Sequence, residues 1–182
     1  VAGLDLSADV AESLGVEQDQ FGACGLSLVI HPYSPRIPSI HMNVRYFELA
    51  SGDAWFGGGI DLTPYYPHRE DFRLFHRVLK QACDEVIPGS YDAYKKECDD
   101  YFTIKHRNEM RGIGGVFFDY LREDLDQAFR LVQSVGDAFL PSFLPILDAR
   151  IEEPYEELDR TFQLFRRGRY VEFNLVYDRG TL

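Results

Sequence analysis

The sequence predicts an α+β fold in which an antiparallel sheet is covered by helices. Three observations predict it. Residues 40–50 alternate in polarity with period 2 and are followed by a Gly-containing turn and a return strand, which makes a hairpin. From Glu70 the apolar spacing changes to that of a helix. Strands that open as a hairpin and are then mixed with helices suggest α+β. The 182 residues, 45% of them hydrophobic, suffice for one sizeable core, and no repeat, low-complexity segment or linker divides them.

In chain order, residues 9–15 read as a short helix. Residues 23–30, ACGLSLVI, read as a buried strand that stops before His31-Pro32, and SPRIPS (34–39) is a proline-punctuated loop. HMNVRYFELA carries the strand of 40–50, SGD (51–53) the turn and AWFGGGIDL (54–62) the return strand. Phe72, Phe75, Val78, Leu79, Ala82 and Val86 form one helix face, broken by IPGS at 87–90. A second helix is expected from Tyr91 to about Glu109, and a glycine-led strand at 111–121. Helices follow at 123–139, from Pro141 and at 156–167. Period-2 alternation over GRYVEFNLVYDRG (168–180) predicts a final strand with a turn at its end. A chain that opens on Val and closes just after a strand is expected to continue at both ends.

A net charge of −11 argues against a nucleic-acid surface, where cations must neutralise phosphates. It does not exclude an acidic ligand, because basic residues bunch in KHRNEMR (105–111) and RRGR (166–169). Three cysteines without a CxxC read as free thiols of a reducing compartment. No apolar run approaches the ~20 residues of a membrane span. The aromatic content, 14 Phe and 11 Tyr, suits a large core, a flat apolar ligand or an interface alike.

Alternation places His41, Asn43, Arg45 and Phe47 on one face of their strand, and Met42, Val44 and Tyr46 on the other. The final strand repeats the pattern, with Tyr170, Glu172, Asn174 and Val176 opposite Val171, Phe173, Leu175 and Tyr177. A solvated sheet face is the ordinary explanation of such a row. A base, an amide and a cation together are nevertheless an unusual surface composition. Asp61 is either a turn carboxylate or, lying across the hairpin from His41 and Arg45, a buried acceptor for ligand N–H groups. Gly57, Gly58 and Gly59 permit close approach of a backbone or a flat ligand, and no phosphate-loop pattern surrounds them. The histidines form neither HExxH nor HxH, so spacing alone does not support zinc.

The runs ACGLSLVIHPYSPRIPSIHMNVRYFE (23–48), WFGGGIDLTPYY (55–66), KKECDDYFTIKHRNEMRGIGGVFFD (95–119) and QLFRRGRYVEFNLVYDRGT (163–181) resemble the oxygen-dependent coproporphyrinogen III oxidases of haem biosynthesis. The resemblance implies a single domain with a large antiparallel sheet flanked by helices on both faces, acting as a homodimer. It implies oxidative decarboxylation of two propionates of coproporphyrinogen III to vinyls, giving protoporphyrinogen IX. The oxidant is O₂; no organic cofactor is implied, and a divalent metal is left open. His41 takes the general acid–base role, Asp61 an acceptor or charge-stabilising role, and Arg45 a bidentate grip on a propionate. Arg45 is also expected to hold Asp61 ionised. Ser27, Asn43, Val44 and Arg45 match substrate-binding positions, and His31, His41, His76 and His106 match histidines proposed as metal ligands. The resemblance also implies a cytoplasmic location, with the mitochondrial intermembrane space as the alternative. A competing reading is a truncated, non-catalytic tetrapyrrole-binding or dimerisation scaffold.

Overall fold

Five strands form one antiparallel sheet in the order β1-β2-β3-β4-β7. They are β1 (Ala2–Asp5), β2 (Gln20–Ile30), β3 (Ser39–Leu49), β4 (Ala54–Thr63) and β7 (Gly115–Leu121). A computed structural model of the chain describes residues 2–5, 11 and 20–178. Apart from Ala11, the expected helix at 9–15 lies outside the described residues, as does the expected turn after Asp178. The β3–β4 hairpin turns at Gly52, whose φ of 97° suits glycine. Its register pairs His41 with Asp61, Asn43 with Gly59 and Arg45 with Gly57.

The two sheet faces are covered differently. Ile40 and Met42 of β3, Ile60 and Leu62 of β4, and Val116 and Phe118 of β7 point into the main core. There they meet three helices: α1 (Arg69–Val86) with Phe75 and Leu79, α3 (Leu125–Asp137) with Leu131 and Val135, and α4 (Phe139–Arg150) with Phe143 and Ile146. The helical spacing read from Glu70 onward is therefore the core stripe of α1. Asp124 caps α3 by accepting from the Gln127 N–H. On the opposite face, Phe117 joins Cys98 and Phe102 near the end of α2 (Tyr91–Tyr101), and Phe173 of α5 (Glu157–Val176). Helices thus flank both faces of an antiparallel sheet, as expected.

Three expectations need correction. Residues 168–176 are the second half of α5, not a strand. The buried members of α5 are Gln163, Tyr170 and Phe173, whose spacings of seven and three belong to a helix face. The period-2 alternation misleads because Val171, Leu175 and Val176 are on the exposed side of the same helix. Second, β2 is not buried: the helices pack chiefly over β3, β4 and β7, and Leu26 remains 57% exposed. Third, α2 ends at Tyr101. Thr103–Ile104 (β5) and Glu109–Met110 (β6) instead pair as a small hairpin around a 3₁₀ turn at Lys105–Arg107. Asn108 closes that turn in the left-handed region at φ 50°, a conformation asparagine tolerates.

Cys24 is exposed, whereas Cys83 and Cys98 are buried; all three are free thiols. Burial pushes the Cys83 thiol up to about 12 and that of Cys98 well above its usual value.

Candidate active site

The face opposite the main core carries, in strand order, Ser39, His41, Asn43, Arg45 and Phe47 of β3. Thr63, Asp61, Gly59, Gly57 and Trp55 of β4 lie beside them. At the His41 end the Nδ1 atom is 2.8 Å from Asp61 Oδ1. A carboxylate can only accept, so Nδ1 carries the hydrogen and Nε2 is left as the basic nitrogen. Asp61 is 2% exposed, while the His41 side chain keeps 22% of its surface. The imidazole is the part of this pair that reaches outward.

Asp61 has a second partner that the sequence reading missed. Arg111 Nη2 donates to both carboxylate oxygens, at 2.8 and 2.7 Å, and Arg111 is itself only 3% exposed. Its guanidinium lies between the rings of Phe102 and Tyr170, 3.9 and 4.2 Å from their centroids, and Nη1 donates to Asn174. Burial by itself would raise the Asp61 carboxyl. The Arg111 charge and the bonds from His41 and Arg111 outweigh burial and hold it below the usual carboxylate value. Arg45 does not take this role: its side-chain partners are Asn43 and Asp119. The glycines after Arg111 serve close packing, since a Cβ at Gly115 would fall on the Ile60 carbonyl.

Arg45 is four residues from His41, about 13 Å along the strand. Its Nη1 donates to Asn43 Oδ1 at 2.9 Å and its Nη2 to Asp119 Oδ2 at 2.7 Å. Between the two ends β4 has no side chain at Gly57 or Gly59; the Arg45 and Asp119 side chains lie over Gly57, the Phe117 ring borders Gly59, and the pairing of β2 with β3 sets Ser27 beside Asn43. Beyond Arg45 a wall of stacked rings, Phe21, Phe47 and Trp55, closes the face. Val44 packs against the main core, so only its backbone borders the polar face.

Across residues 1–182 the sequence matches the family described as Coproporphyrinogen III oxidase. The chain belongs to that family. Coproporphyrinogen oxidases are oxidoreductases of haem synthesis.

The four histidines matched to metal ligands in this family are not brought together. His31 bonds Ser39, His41 bonds Asp61, His76 bonds the Tyr91 hydroxyl, and His106 bonds Tyr177 and Glu172. Among the described residues no three His, Cys, Asp or Glu side chains cluster to hold a metal ion. The donor set expected from sequence therefore does not fit one. No helix among the described residues is long and apolar enough to cross a membrane.

Proposed function

We propose that the chain catalyses oxygen-dependent decarboxylation of coproporphyrinogen III on this sheet face. One observation carries the reading: His41, backed by Asp61 and Arg111, and Arg45, held by Asn43, share one face of the sheet. A flexible tetrapyrrole has N–H groups at its centre and carboxylates at its rim. Arg45 takes a propionate with its remaining N–H groups while the macrocycle extends along the face toward His41. Both Asp61 oxygens are already engaged, so the group that meets the substrate is His41, whose Nε2 takes the pyrrole proton. Asp61 holds the imidazole in that tautomer and stabilises the cation formed.

For each propionate, one C–H bond and the bond to the carboxylate carbon break. The carboxylate leaves as CO₂, a vinyl group forms, and two electrons pass to O₂, which takes two protons to become hydrogen peroxide. Two turnovers yield protoporphyrinogen IX. The free thiols fit a cytoplasmic location, and the exposed apolar residues of β2, Leu26, Val29 and Ile30, suit a homodimer.

A second reading is favoured by α5, whose Tyr170 and Phe173 lie over Arg111 at the His41 end. In that reading the chain binds a tetrapyrrole without turning it over. Anaerobic incubation with coproporphyrinogen III followed by admission of O₂, with product read by chromatography beside a chelator-treated sample, separates the two. Protoporphyrinogen appearing only after O₂ supports the oxidase. Saturable binding with no product after O₂ supports the scaffold.

A further inference from the structure

The opposite end of the polar face carries a built feature centred on Asp119. Strand β7 pairs with β4 in regular register until Gly58–Phe118, and the next pair is Phe56–Leu121. Asp119 and Tyr120 therefore both lie opposite Gly57, which is a β-bulge. Tyr120 adopts φ 53°, a left-handed backbone that an aromatic residue rarely takes. The bulge swings Asp119 toward β3. Its Oδ1 accepts from the Tyr120 N–H at 3.0 Å and its Oδ2 accepts from Arg45 Nη2 at 2.7 Å. Tyr120 is anchored in turn, its ring 5.5 Å from Trp55.

Gly57 completes the arrangement. A Cβ there would lie 2.5 Å from Asp119 Oδ1 and 3.1 Å from Arg45 Nε, so only glycine leaves room for the pair to meet. Asn43 holds the other side of the guanidinium. The two bonds use two of its five N–H groups, which leaves a fixed and partly exposed fork for a carboxylate.

We propose that Asp119 is a positioning residue that presets Arg45 for a substrate carboxylate, and that the bulge exists to aim it. The inference rests on the proposed reading of Arg45 as the propionate grip. Asp119 does not touch the reacting atoms. It lowers the ordering cost of the Arg45 side chain, which otherwise falls on substrate binding.

The test is steady-state kinetics of Asp119→Ala, Asp119→Asn and Arg45→Ala with coproporphyrinogen III, each variant first checked for a native melting transition. Asp119→Ala is expected to raise KM about tenfold while kcat stays within about twofold. Asp119→Asn keeps an acceptor and is expected to restore part of the loss, with KM raised about threefold. Unchanged KM in both Asp119 variants, or a fall in kcat at constant KM, overturns the proposal. Should Asp119→Ala fail to fold, the KM of Asp119→Asn decides alone. Arg45→Ala separates the two levels. If it leaves KM and kcat intact, the propionate grip itself falls; if it is impaired while the Asp119 variants are not, only the role of Asp119 falls.

Discussion

One nitrogen of Arg111, Nη2, bonds both oxygens of Asp61, and the two side chains are almost wholly shut away from water. Such a pair contributes little by existing but costs much to break, because the survivor is a buried charge. Arg111→Met is expected to destabilise the fold by about 3–5 kcal/mol. Combining it with Asp61→Asn should recover a large part of that loss, because no buried charge is left unpaired. Urea unfolding of the two variants checks this; a single variant within about 1 kcal/mol of the parent contradicts it.

The same pairing makes Asp61→Ala an impure probe. Alanine abandons Arg111, so turnover and stability should fall together. Asp61→Asn retains a side-chain acceptor and is expected to lower kcat by about 10²–10⁴ with a smaller change in melting temperature. Normal turnover by a folded Asp61→Asn would remove Asp61 from the reaction.

Arg45→Lys keeps the charge and loses the planar fork. KM is expected to rise about tenfold, with stability altered by less than about 1 kcal/mol because the Arg45–Asp119 pair is partly exposed. A neutral KM would argue against two-point recognition of a carboxylate.

Two neighbouring glycines should answer differently to alanine. At Gly59 the new Cβ would fall 2.5 Å from the Val116 carbonyl, so backbone must move, at about 1–3 kcal/mol. At Gly57 it meets side-chain atoms of Asp119 and Arg45, which can give way. Gly57→Ala is therefore expected to melt nearly as the parent does yet bind substrate worse. Thermal melts alongside KM values distinguish them.

Acid should weaken the fold in two stages. Burial and the nearby Arg167 and Arg111 lower His31; burial and Lys95 lower His76. Their folded values lie below the unfolded 6.5, so the native state binds fewer protons there and stability rises with pH across that window. Their contribution is full above 6.5 and fades as pH falls through the folded values. Asp61 is likewise lowered from 3.8, so its share is complete above that value and is lost as pH falls through its folded value. Urea midpoints across the acid range should decline in both windows, and His31→Gln should flatten the upper one.

The hairpin was legible because alternation fixes both faces, so Asp61 could be set across from His41 and Arg45, but it took the observed register to pair it with His41. Arg111 was not, because its partner lies fifty positions earlier and its own surroundings read as a glycine-rich strand lead-in. Asp119 gave a faint signal, a lone acid in phase with Phe117, but a bulge cannot be read from a run such as GVFFDYL. Residues 168–176 satisfied both periods. Contacts of Tyr170 and Phe173 with Arg111 and Phe102 favour the helix, and no local pattern encodes them.

The unequal burial of the three cysteines makes the molecule singly addressable. A maleimide needs an accessible thiolate, and Cys83 and Cys98 offer neither access nor acidity. Cys24 sits on β2 directly across from Tyr46, one position before Arg45's neighbour Gly25. A dye attached there without any engineering would stand on the reverse of the sheet from Arg45, so the native chain could be labelled while the face proposed to receive the tetrapyrrole stays unobstructed.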